Sequence, residues 1–474
     1  MKFSIQSASA SLDISGVIVP FLESENFQFS WEETSFVINK NLFAGKKDSM
    51  HAFESAGKLF VLVGLGKEPD FKSVQNSFRR LTAKNSDLLN GSLLLDLSSI
   101  SDAWMLEAIV TGLKLGTYRL SHFKSGDLGL KDWNSLSFGV KTELANAEAM
   151  LVQAEKIAAA QLETFRMVDL PANTVTPQFL ADWALNLGKL ANVSVQVLDE
   201  VQAAVQGLKA FLSVGQGSKR APQFIIIDYH PSDAKKHVGL VGKGVTFDTG
   251  GLNIKTQGMV HMKCDMGGAA TVLGAMQLVV SLQMPHRVTA IVPCVENAVD
   301  ANAYLPSDVI GSYSGKTIEV IDTDAEGRLI LADGLTYMVR NYKPELLIDF
   351  ATLTGSAVGT FGYSCAALFS KNEALLKQLQ AAGDAVGERM WPLPMWDSFQ
   401  SEMDSDIADI KNYHGKPFAG AITAAKFLEF FTEGHEAYAH IDIAGTAFGD
   451  SEFAKTKHAT AYGVHLFLKL LENL

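Results

Sequence analysis

The chain has 474 residues, 47% apolar and 19% charged, which favours a large buried core and excludes wholesale disorder. That length exceeds one ordinary domain and points to two or three. The formal net charge is −12, of which residues 1–150 carry only −2, so the clustered Lys and Arg of a general nucleic-acid binder are not expected.

The opening MKFSIQSASASLD has one Lys and no sustained apolar run, so it is not read as a secretory signal. No uninterrupted apolar stretch of about 18 residues follows anywhere, and no membrane-spanning helix is expected. Residues 1–145 read as a small α/β domain. β-rich runs at 16–22, 58–64 and 92–97 alternate with helical pattern, most clearly over 101–120. The stretch 142–167 has no Gly or Pro and is rich in Ala, Glu, Leu and Gln, which predicts a long helix. Pro171 and Pro177 end it. A connecting helix over 146–168 therefore divides the N-terminal domain from a second one over 169–474. There, strand-length runs at 224–229, 237–241, 287–292, 317–321 and 345–350 alternate with helical segments at 268–282 and 329–341. Such alternation predicts an α/β domain with a parallel or mixed sheet. Cys264, Cys294 and Cys365 have no CxxC spacing and fit reduced thiols.

Three segments carry chemistry. In 241–255, VGKGVTFDTGGLNIK, a strand ends in glycines and presents Lys243 and Asp248 at a sheet edge, with Lys255 seven residues on. Asp265 precedes the small-residue helix opening MGGAA. The run Asp322-Thr-Asp-Ala-Glu-Gly-Arg328 follows a predicted strand, where Asp324, Glu326 and Arg328 can project to one side. A single acidic residue after a strand is ordinarily a solvated loop end or a helix cap. Several brought together would repel, and they require protons or cations; a carboxylate-rich set suits divalent metals. No HExxH and no Walker frame occur, His261 is not expected to be a ligand, and Cys264 has no identifiable base beside it.

GKGVTFDTGG (242–251), NIK (253–255), KCDMGGAA (263–270) and DTDAEGRLILADGL (322–335) closely resemble the signature blocks of the leucyl aminopeptidase family, the cytosol aminopeptidases of peptidase family M17. LPANTVTP (170–177), DFATLTGSAV (349–358), AGAITAAKFL (419–428) and AHIDIAGTA (439–447) support the resemblance, which runs in order from about Arg166 to the end. It implies an α/β protein of two domains, a small macro-like N-terminal one and a larger catalytic one with a central mixed sheet. The implied activity is release of N-terminal amino acids, leucine and other mainly apolar residues, from peptides.

The resemblance also implies two divalent ions per subunit, Zn²⁺ or Mn²⁺, with Mg²⁺ or Co²⁺ accepted by the same ligands. Asp248, Asp324 and Glu326 would hold the more exchangeable ion; Lys243, Asp248, Asp265 and Glu326 the tighter one. Lys243 can ligate only as a neutral amine, so the ion must depress its pKa. Lys255 would stabilise the tetrahedral oxyanion. Arg328 would hold a bicarbonate ion as proton shuttle. Met262, Thr352, Leu353, Thr354 and Gly355 would line the substrate pocket. A homohexamer of two stacked trimers, peptide substrates and a cytoplasmic location are implied as well. Some bacterial members bind DNA, which the near-neutral N-terminal domain does not lead us to expect here. A dimetal phosphoesterase is the other alternative, disfavoured by Lys255 and Arg328. Two positions depart from the family pattern: Asp322, facing the substrate pocket, and Asp169 both stand where the family usually has Asn. The simpler reading of Asp322 is a hydrogen-bonded side chain doing what Asn does; the alternative is that the extra carboxylate shifts tolerance toward basic or polar first residues.

Overall fold

The apolar run at 237–241 forms the strand His237–Gly242, which lies between Leu346–Ala351 and Arg287–Asn297 in a nine-stranded mixed sheet. The computed structural model describes residues 1–6, 14–24, 27–31, 34–126 and 131–474. These fall into two compact units, Met1–Leu162 and Glu163–Leu474, with the division inside the helix Ala147–Asp169.

In the second unit the sheet order is Met390–Pro392, Ala366–Phe369, Tyr438–Asp442, Leu346–Ala351, His237–Gly242, Arg287–Asn297, Gln223–Tyr229 and Val193–Leu198, with the ninth strand, Gly244–Asp248, pairing off this path with Arg287–Asn297. The four central strands, from Tyr438–Asp442 to Arg287–Asn297, run parallel, while the pairings outside them include antiparallel ones. Parallel strands covered on both faces become continuously apolar, and Leu346–Ala351 is buried at every residue. On one face Val241, Ile291 and Leu347 pack with Leu331, Leu335 and Met338 of the helix Gly327–Asn341. Gly242, next along the strand and so on the other face, lies against Gly268 and Ala269 of the helix Gly267–Leu282. Thirteen of that helix's sixteen residues are buried. The stretch Met259–Leu282 is long and apolar enough to cross a membrane, but 83% of its most apolar window is inside the protein, as in a core helix.

The predicted strand over 317–321 is shorter than expected and lies outside the central sheet. Thr317–Glu319 forms a small sheet with Val309–Gly311 and Ile410–Lys411. Beyond Glu319 the ladder stops, because Val320 N donates to Asp308 O and Ile321 N to the Asn412 side chain.

The first unit holds a six-stranded sheet ordered Lys2–Ile5, Ser137–Lys141, Ser92–Asp96, Gly16–Leu22, Lys58–Gly66 and Met50–Ser55, parallel except for the last pair. The helices Phe71–Lys84 and Ala103–Leu115 accompany it, the first opened by a capping box between Asp70 and Ser73.

Candidate functional site

Between His237–Gly242 and the strand Gly244–Asp248, Lys243 turns its side chain into the interior at the C-terminal end of the central strands. Its ammonium lies 2.7 Å from Asp265 Oδ1, 2.9 Å from Glu326 Oε1 and 2.9 Å from the Thr352 carbonyl. Glu326 immediately precedes the helix Gly327–Asn341, and Gly327 is what lets the lysine through. A Cβ there would sit 2.4 Å from Lys243 Cε.

Asp248 ends its strand. Its Oδ1 accepts from Gly250 N at 2.8 Å and from Asn297 Nδ2 at 2.8 Å, and its Oδ2 lies 2.8 Å from Lys255 Nζ. Gly250, at φ +86°, makes the tight turn that brings the chain back toward Lys255. Lys255 bridges onward to Asp324 Oδ1 at 2.5 Å. Two lysines are thus interleaved with four carboxylates.

The electrostatics follow from this packing. Burial alone would lower the pKa of Lys243, but the nearby Asp265, Glu326 and Asp248 outweigh it and hold the lysine charged. Lys255 is raised in the same way by Asp248, Glu326 and Asp324. Burial raises Asp248 and Asp265, and it lifts Asp324 to about 7 with help from Asp248 and Glu326. Glu326 is driven down instead, because Lys243 and Lys255 overcome its burial. Lys243 is therefore a cation in this arrangement, and a metal at its nitrogen would have to displace a proton.

The donor set fits divalent cations. Carboxylate oxygens of Asp248, Asp324 and Glu326 come within 4.8 Å of one another. Asp265 Oδ2 and Glu326 Oε2 are buried with no hydrogen-bond partner among the described residues. A buried anionic oxygen without a partner is costly unless a cation meets it.

All thirteen residues assigned to the site from the sequence line one cavity of about 680 Å³: Lys243, Asp248, Lys255, Met262, Asp265, Asp322, Asp324, Glu326, Arg328, Thr352, Leu353, Thr354 and Gly355. Arg328 is nearly buried, donates through Nη1 to the Asn412 carbonyl at 2.8 Å, and has no partner at Nε among the described residues. Asp322 Oδ1 accepts from Asp324 N at 2.8 Å, a bond an Asn could make equally well. Asp169 Oδ1 accepts from Ala459 N at 2.8 Å, a bond an Asn could also make, and its main-chain carbonyl accepts from Lys263 Nζ. His261 packs its ring against Phe448 and is not part of the carboxylate cluster. Cys264 lines the cavity, but burial pushes its thiol to about 12, so it stays protonated.

Sequence reasoning missed the residues that hold these in place. Asn297 fixes Asp248 and also donates to Thr323 O at 3.1 Å. Thr323 ties the acidic loop to the glycine turn through Gly250 O at 2.7 Å. Asp442 accepts from Leu353 N at 3.2 Å and Thr354 Oγ1 at 2.7 Å, and so fixes the wall formed by 352–355. Asp442 lies in the AHIDIAGTA block and Thr323 in DTDAEGRLILADGL, whereas Asn297 lies in no block that a sequence signal marked.

Comparison with known proteins agrees with this geometry. Residues 164–468 match the model of the cytosol aminopeptidase family, catalytic domain, and 32–127 match that family's N-terminal domain, a region in which the sequence offered no motif. A probable cytosol aminopeptidase of Chlorobaculum tepidum is 40% identical over 87% of this chain and 86% of its own. One from Syntrophotalea carbinolica is 42% identical over 78% of this chain and 75% of its own. Among solved structures, the bottromycin maturation enzyme BotP in complex with Mn aligns with a TM-score of 0.85 at 28% identity, covering 97% of this chain and 99% of that one. With both domains matched in order and the full-length fold shared, the chain belongs to the cytosol aminopeptidase family.

Proposed function

We propose that the protein is a dimetal aminopeptidase that releases N-terminal residues, leucine and other mainly apolar ones, from peptides. The observation that carries this reading is the cluster of Asp248, Asp265, Asp324 and Glu326, with two of its buried oxygens unpartnered among the described residues, opening on a cavity of peptide size. Asp248, Asp324 and Glu326 would hold one ion; Lys243, Asp248, Asp265 and Glu326 the other. Zn²⁺ and Mn²⁺ suit that set, and the related BotP structure is of a complex with Mn. Such ions, when bound, supply a hydroxide nucleophile at neutral pH and polarise a carbonyl.

The chain's own groups do the rest. Lys255 Nζ, 2.8 Å from Asp248 and 18% exposed, can turn from its carboxylates to donate to the carbonyl oxygen as that oxygen becomes anionic. Arg328 lines the cavity, its buried Nε has no partner among the described residues, and it would hold a bicarbonate ion, which supplies proton-transfer capacity. Burial lowers the Arg328 guanidinium only to about 10, so it remains a cation at neutral pH. The Thr352–Gly355 segment, fixed by Asp442, would orient the peptide backbone. Met262, Leu353, Val358 and Ala444 in the lining suit an apolar first side chain. Residues 169–474 form the catalytic domain in this reading, and the family resemblance favours a cytoplasmic homohexamer of two stacked trimers.

Hydrolysis of a panel of aminoacyl amides, measured after complete chelation and again after adding Zn²⁺, Mn²⁺, Mg²⁺ or Co²⁺ singly, tests the reading. Activity should vanish on chelation and return with metal, highest on leucine and methionine amides. Turnover that survives complete metal removal overturns it.

A further inference from the structure

We infer that Asn412 is a positioning residue for the acidic loop, fixing the backbone that presents Asp324 and Glu326. The inference rests on the metal reading above. Asn412 follows the two-residue strand Ile410–Lys411, which pairs in parallel with Thr317–Glu319. Its own N–H donates to Glu319 O at 2.9 Å, the last backbone rung before the partner strand turns away. From there the side chain replaces the ladder. Oδ1 accepts from Ile321 N at 2.7 Å and Asp322 N at 3.2 Å, while Nδ2 donates to Asp322 O at 2.6 Å and Ala325 O at 3.4 Å.

A carboxamide offers two donor hydrogens and two acceptor lone pairs, and here all of them close on one short loop. Asn412 is fully buried, so water cannot stand in for any of these partners. Its main-chain carbonyl receives the Arg328 guanidinium, so the same residue sets the loop and the arginine together. The held residues, Ile321, Asp322 and Ala325, flank Asp324 and Glu326 in the sequence. The loop cannot slide without breaking bonds that only an amide of this length makes. Aspartate in its place would keep the acceptors, lose both donors and set a carboxylate against two carbonyls.

The test uses full-length protein, stripped by chelator and titrated with Mn²⁺ by calorimetry, alongside kcat and KM on leucine amide. Asn412→Ala removes every side-chain contact. Asn412→Asp is near-isosteric and reports even where the alanine variant does not fold. Thr336→Val serves as a control, because it deletes a buried bond to Phe431 O at 2.8 Å elsewhere on the helix Gly327–Asn341. Groups that orient metal ligands typically contribute about 10–100-fold in metal affinity or activity. Both Asn412 variants should therefore bind Mn²⁺ about 10–100-fold more weakly. Their kcat at saturating Mn²⁺ should fall with KM little changed, while Thr336→Val loses stability and keeps wild-type Mn²⁺ affinity. Asn412→Asp with wild-type Mn²⁺ affinity and kcat overturns the inference, as does Thr336→Val weakening Mn²⁺ binding equally. Wild-type protein that takes up no Mn²⁺ overturns the metal reading, and this inference with it.

Discussion

Replacing Gly327 with alanine is expected to remove most of the activity while leaving the fold in place. The added methyl would lie 2.4 Å from Lys243 Cε and 2.7 Å from its Cδ and Nζ. Carbon atoms rest at about 3.5 Å or more, so the lysine chain must withdraw by about 1 Å. It cannot do so and keep its bonds to Asp265, Glu326 and the Thr352 carbonyl. A misplacement of about 1 Å at a reacting centre costs on the order of 100-fold in rate. On the folding side, the clash falls on the far end of a side chain, and alanine is a better helix former than glycine by about 1 kcal/mol. Drawing the buried ammonium off its carboxylates outweighs that gain, so Tm should fall by about 5–10 °C with the fold retained. Leucine amide hydrolysis at saturating Mn²⁺, Mn²⁺ titration and differential scanning fluorimetry measure all three quantities. A variant with kcat/KM within about 3-fold of wild type and unchanged Mn²⁺ affinity would refute the argument that Lys243 needs this gap.

Lys255→Met should lower kcat by about 100–1,000-fold with a smaller change in KM, since its donor matters most when the carbonyl oxygen is anionic; equal losses in kcat and in ground-state inhibitor binding would contradict that role. Asp322→Asn preserves the acceptor for Asp324 N and removes one charge from the cavity lining, worth about 1 kcal/mol for a partly exposed partner. Hydrolysis of arginine amide relative to leucine amide should therefore fall by roughly 5-fold, and an unchanged ratio sinks the specificity argument. Asp333 accepts from Phe211 N at 2.9 Å and Tyr313 N at 2.7 Å, and burial raises its pKa to about 7. The native state then holds a proton that the unfolded chain has released, so this group's contribution to stability falls as pH rises from about 4 to 7. Urea denaturation of wild type and Asp333→Asn across that range should show the wild-type curve losing ground to the variant; parallel curves would reject the assignment.

The site was legible in the sequence because each of its segments is short and local. Lys243, Asp248, Lys255 and Asp265 lie within 23 residues of one another, and Asp324, Glu326 and Arg328 within five. What escaped was whatever acts across sequence distance. Asn412 follows the loop it holds by about 90 residues and sits in DIKNYHG, where nothing local marks it. The central strand Tyr438–Asp442 was hidden by its polar content. His440 and Tyr438 are acceptable in the core only because Asp349, on the neighbouring strand, bonds both at 2.7 Å. The opposite error came at 317–321, where β-branched residues promised five strand positions and the ladder supports three.

The lysines that thread the carboxylate cluster bear on how the enzyme matures. Folding that had to gather four carboxylates unaided would depend on the ion arriving first, as small zinc domains do. Here Lys243 and Lys255 belong to the chain and offset part of the cluster's charge in the folded protein without an ion. The folded chain can therefore hold its carboxylates in place before a divalent cation reaches them.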